Sequence, residues 1–65
     1  MWTVVYMAQN KEAAEALQKL LEASGVLVKV RPINKAPEGE ANVYEILVPQ
    51  SEVEEAHNII IDGGF

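Results

Sequence analysis

The chain has 65 residues, with ten acidic side chains against five basic ones and a net charge of −5. That balance argues against nucleic acid, which is bound largely by neutralising phosphates, and against an anionic membrane surface. There is no cysteine, which excludes disulfides and thiolate metal sites, and a hydrophobic content of 49% is too high for a disordered tail.

Trp2 to Ala8, WTVVYMA, is β-branched, aromatic and uncharged, and reads as the first strand. Both of its alternate sets carry large residues: Trp2, Val4 and Tyr6 against Val5 and Met7. Gln9-Asn10 turns the chain into a helix, with Asn10 as N-cap. Ala13, Leu17, Leu20 and Leu21, with Ala14 and Ser24 beside them, recur at three- and four-residue steps and form one stripe. Gly25 suits the left-handed conformation that ends helices, and Val26 can fold back onto Leu21.

A second strand is expected over roughly Val26 to Ile33, with Val26, Val28 and Val30 on one face and Leu27, Lys29, Arg31 and Ile33 on the other. Asn34 to Asn42, NKAPEGEAN, reads as a loop. Val43 to Val48, VYEILV, reads as the third strand, ended by Pro49. Ser51 then opens a second helix, with Glu54 completing a capping box and with Val53, Ala56, His57 and Ile60 on one stripe. Asp62-Gly63-Gly64 stops it, and Phe65 follows.

The order β-α-β-β-α describes a single α+β domain over residues 1–65, near the lower size limit for a core that stands alone. The first two strands, joined by a helix, should run parallel. The third then either sits between them or leaves them direct neighbours. Pro32, which has no amide to donate, and the charges of Lys29 and Arg31 mark the second strand as an edge. The favoured arrangement is a two-layer sandwich: a three-stranded mixed sheet of order 1-3-2 with two helices on one face. It is the ferredoxin-like pattern lacking its fourth strand. The first strand is then an apolar edge, and the outer face presents Trp2, Val4, Tyr6, Leu27, Ile33 and Leu47 or their neighbours, which reads as an interaction surface.

Little here points to catalysis. Ser51, His57 and Asp62 lie on one helix, and at roughly 100° per residue they spread around it and cannot meet. Glu54 and His57 have the Glu-x-x-His spacing of di-iron bundles, but such a site needs the motif twice. No glycine pattern matches a nucleotide fingerprint. The residues therefore supply no catalytic set, no metal site and no cofactor. Lys29, Arg31 and Lys35 form a local positive spot able to take a carboxylate or phosphate, with edge protection as the simpler explanation. Met1-Trp2-Thr3 lacks a basic leader and no apolar run reaches membrane-spanning length, so a cytoplasmic chain is expected.

The aromatic first strand, AEALQKLLEASGVLVKV, the acidic loop and the ILVPQSEVEEAHNII ending resemble a family of small bacterial domains described as prokaryotic signal-transducing proteins. That family is of unknown function and is linked by shape to the nitrogen-regulatory PII proteins, which signal through a loop between their second and third strands. The resemblance implies a regulatory module, with Asn34 to Asn42 at the corresponding loop. Some short chains similar to this one are labelled glutamate decarboxylase. Such chemistry needs pyridoxal phosphate on a lysine with a phosphate site beside it, and Lys11, Lys19, Lys29 and Lys35 have no such surroundings in the sequence. The sequence thus leads to a non-catalytic module that forms a homodimer or docks on another protein. An anion sensor is the alternative, and an enzyme or enzyme subunit a third reading.

Overall fold

Three successive apolar residues, Ile46, Leu47 and Val48, are buried, so side chains on both faces of their strand are shielded from water. They lie in the middle strand of a computed structural model that describes residues 1–33 and 43–65. The loop read at Asn34–Asn42, with Lys35, lies outside the described residues. The elements are β1 (Trp2–Ala8), α1 (Lys11–Ala23), β2 (Lys29–Ile33), β3 (Val43–Pro49), a 3₁₀ turn (Gln50–Glu52) and α2 (Val53–Asp62). The sheet order is β1-β3-β2, with both outer strands antiparallel to β3 and hence parallel to each other. Both helices pack on the face of Ile46 and Val48, where Ala14, Leu17, Leu21, Val26, Ala56 and Ile60 complete the core. This is the α+β sandwich of order 1-3-2 expected from the sequence, although the sheet is antiparallel throughout rather than mixed, because β3 separates the two parallel strands.

A β-bulge in β1 corrects the assignment of its faces. Trp2, Thr3 and Val4 pair with Pro49, Val48 and Leu47, but Tyr6 then pairs with Ile46, leaving Val5 as the extra residue. Tyr6 is thereby turned inward, packed on the core and edge-on to Phe65 with ring centroids 6.1 Å apart. Met7, 45% exposed, takes the outward place that strict alternation assigns to Tyr6. The reason is that Val5 and Tyr6 both pack against the core, a solution that a strand apolar on both faces permits.

The Asn10 side chain accepts a hydrogen bond from the Ala13 amide at 2.7 Å, capping α1. Asn10→Ala should therefore cost about 1 kcal/mol in urea unfolding, while Asn10→Ser should retain most of the stability. At the other end Gly25 has φ +86°, and the Val26 and Gly25 amides donate to the Leu21 and Glu22 carbonyls at 3.0 Å each, a Schellman motif. Pairing with β3 begins only at Lys29, three residues later than the sequence reading. Val26 belongs instead to the helix stop, and the Leu27 amide donates to the Glu52 carboxylate at 3.2 Å. The alternation survives, with Val26, Val28 and Val30 packed inward.

The capping box at Ser51 does not form. The Gln50 amide donates to the Met1 carbonyl at 2.8 Å, carrying the β1–β3 ladder one step past Pro49. Gln50–Glu52 then makes a 3₁₀ turn, and α2 starts at Val53 without a side-chain cap. Its inward stripe is Val53, Ala56, Ile59 and Ile60. His57, placed on the stripe from sequence, is exposed, because the stripe centres on Ala56 and Ile60 and runs off on the side away from it. α2 ends in a second Schellman motif, with Phe65 and Gly64 amides donating to Ile60 and Ile61 carbonyls at 3.1 Å each.

Candidate functional site

With both helices on one face, the opposite face of the sheet lies open, and its side chains fall into rows across the strands. Val4, Leu47 and Lys29 share one row, since Val4 and Lys29 both pair with Leu47. Met7, Glu45 and Arg31 form the next, and Trp2 lies beside Pro49 at the other end. Trp2 (45%), Val4 (39%) and Met7 (45%) are exposed, as is Leu27 (63%) just before β2. Of the residues assigned to this surface from sequence, Trp2, Val4 and Leu27 are exposed and Ile33 is half-buried beside Val43. Tyr6 is on the other side of the sheet.

Leu47 is on the open face yet only 5% exposed, and it is not part of the core cluster. Its cover comes from the neighbouring strands: the Lys29 ammonium lies 5.4 Å from the Trp2 ring centroid, so the two side chains meet above β3. A cation–π contact at such an exposed site contributes about 0.5–1 kcal/mol. The lysine stem also shields apolar surface while its charge stays in water. One end of the face is thus apolar, built from Trp2, Val4, Leu47, Pro49 and Leu27.

The other end is charged. Arg31 donates through Nε to Glu45 Oε1 at 2.8 Å, and a terminal guanidinium nitrogen donates to the same oxygen. Glu45 is only 16% exposed and Arg31 59%, and a pair so close to solvent is worth about 0.2–1 kcal/mol. Arg31 therefore already holds a carboxylate of its own chain. Of the three cations assigned to an anion spot, Lys29 lies over Trp2 and Lys35 is outside the described residues. Lys29 and Arg31 share the open face at alternate positions.

Ser51, His57 and Asp62 are all exposed. Among the described residues the side-chain-to-side-chain hydrogen bonds are those of Arg31 with Glu45, and no cavity and no group of three metal-ligating side chains occurs. No helix among the described residues is long and apolar enough to cross a membrane. The outward edge of β1 has no backbone partner among the described residues, since its pairing is with β3 alone.

Two features of this surface escape sequence reasoning. The outward turn of Met7 follows from the bulge, and the meeting of Trp2 with Lys29 follows from cross-strand register, neither of which leaves a local signal. Comparison with family models, curated proteins and solved structures found no match.

Proposed function

We propose that this chain is a small, non-catalytic interaction module of regulatory type, acting as a homodimer or docking on another protein through β1 and the open sheet face. The observation that carries the reading is the exposure of Trp2, Val4, Met7 and Leu27 on and beside a sheet that helices cover on one side only. Contiguous apolar surface rimmed by charge is the usual mark of a contact site. The bare edge of β1 adds to it, because proteins seldom leave an uncharged edge strand open. The resemblance to the small prokaryotic signal-transducing domains supplies the regulatory part of the reading.

Light scattering across a concentration series tests it. The expected result is a mass that rises from 7.2 kDa toward twice that value. A mass of 7.2 kDa at every concentration would overturn the homodimer. The anion alternative draws no support from Arg31, whose guanidinium is engaged by Glu45.

A further inference from the structure

We infer that the Asp62–Gly63 link is a site of spontaneous isoaspartate formation, and that the stop of α2 is the gate that sets its rate. Asp62 is the single aspartate of the chain, is exposed, and is followed by a residue with no side chain to shield its nitrogen. That pairing suits one backbone reaction. The Gly63 amide nitrogen loses its proton and attacks Cγ of Asp62, the carboxyl hydroxyl leaves as water, and a succinimide ring closes. Water then opens the ring at either carbonyl. One product is the original aspartate. The other carries the main chain through Cγ and holds the former backbone carbonyl carbon as a free carboxylate. The water lost is regained, so neither mass nor redox state changes. Asparagine has a related reaction, but the described asparagines are poorer sites. The Asn10 side chain is engaged by the Ala13 amide at 2.7 Å, and Asn58 precedes β-branched Ile59 inside α2, which crowds the attacking nitrogen.

The folded chain holds the reaction back. Asp62 is the last residue of α2, and a helical backbone keeps the next nitrogen turned away from Cγ. The Gly63 amide donates to the Ile59 carbonyl at 2.9 Å, and the Phe65 amide to Ile60 at 3.1 Å, with the Phe65 ring edge-on to Tyr6. These contacts must open before the nitrogen is free. The clasp is light: Phe65 is 41% exposed and Ile61, beside Asp62, is 69% exposed. The last turn has no basic residue, and the Asp62 carboxylate lies at the negative end of the helix dipole. Segments with so few buried contacts open far more readily than a core does. Packing favours glycine after Asp62, because a Cβ on Gly63 would lie 2.6 Å from Leu20 Cδ2. Isoaspartate would lengthen the main chain by one bond before Gly63, which breaks the pairing of the Schellman motif and lifts Phe65 from Tyr6.

The test holds the full chain at neutral pH, folded and in guanidinium chloride, and counts isoaspartate after return to buffer. The probe is methyl transfer from S-adenosylmethionine by an isoaspartyl methyltransferase, with fragmentation mass spectrometry to place the label. Label should grow in both samples, several-fold faster in the unfolded one, and should be lost in Asp62→Glu, whose larger imide ring closes far more slowly. Phe65→Ala should speed the folded reaction several-fold and leave the unfolded rate unchanged. Phe65→Leu, which keeps apolar bulk, should fall between the two and guards against an alanine variant that fails to fold. No label in the unfolded chain, or label that persists in Asp62→Glu, would overturn the site. Equal rates folded and unfolded, or a folded rate indifferent to both Phe65 variants, would overturn the gate.

Discussion

Leu17→Ala should remove about 2–5 kcal/mol of stability, enough to leave much of this chain unfolded at room temperature. Leu17 is fully buried and lies at the centre of the α1 stripe, packed with Leu21, Ile46 and Val48. A domain of 65 residues has a total stability of about 3–10 kcal/mol. Few other large side chains are fully buried, so the vacated volume has little to collapse into it. Urea unfolding followed by circular dichroism measures the loss, with Leu27→Ala, at a 63% exposed position, as the mild comparison. A loss below about 1 kcal/mol for Leu17→Ala would contradict the packing of α1 on the sheet.

Gly25→Val should be the most damaging change outside the core, at about 2 kcal/mol or more. A side chain there meets no neighbour within 4 Å, so the cost is conformational: φ is +86°, where a Cβ crowds the following carbonyl and a branched one crowds it further. Leaving that conformation would break the bonds from Gly25 and Val26 to the end of α1 and pull Val26 from the core. Stability should fall in the order Gly25, Gly25→Asn, Gly25→Ala, Gly25→Val, since asparagine tolerates the left-handed region. Equal losses for asparagine and valine would show that space, not φ, limits the site. Gly63 is the opposite case. Its φ of −81° suits any residue, but a Cβ would lie 2.6 Å from Leu20 Cδ2. That atom is the tip of a side chain able to rotate, so Gly63→Ala should cost less than Gly25→Val.

These residues also show which parts of the architecture could be read from the chain. α1 has an N-cap, a 3.6-residue stripe and a glycine stop, three independent local signals that agree, and its position and ends follow from them. Strand order followed from Pro32, Lys29 and Arg31, because an edge strand must tolerate a missing amide and exposed charge. β1 failed at its faces for a physical reason. A period-2 pattern sets register only if one face is polar, and WTVVYMA has no polar face to break the tie. Ser51 failed because a cap signal is local, whereas the start of α2 is fixed by two remote partners, Met1 for Gln50 and Leu27 for Glu52. The open face was legible as an apolar surface. Its division into an apolar end and an ion-paired end depends on register between strands far apart in sequence.

The sheet order has a consequence for how the molecule comes to be folded. β3 is the hub through which both other strands hydrogen-bond, and it leaves the ribosome after both of them. Until it arrives, β1 and β2 have no ladder partner, and the stripe of α1 has no apolar surface to cover it except those unpaired strands. The nascent chain thus holds no sheet, and its 13-residue helix, with little to pack on, is marginal. Every long-range contact of the sheet must then wait for β3, and the β1–β3 ladder, which spans the longer stretch of chain, is the costlier of the two to close. During that interval WTVVYMA, uncharged and β-prone, is the segment most exposed to pairing with another chain. The bulge at Val5 exists only within the β1–β3 ladder and cannot interrupt such pairing before β3 has joined it.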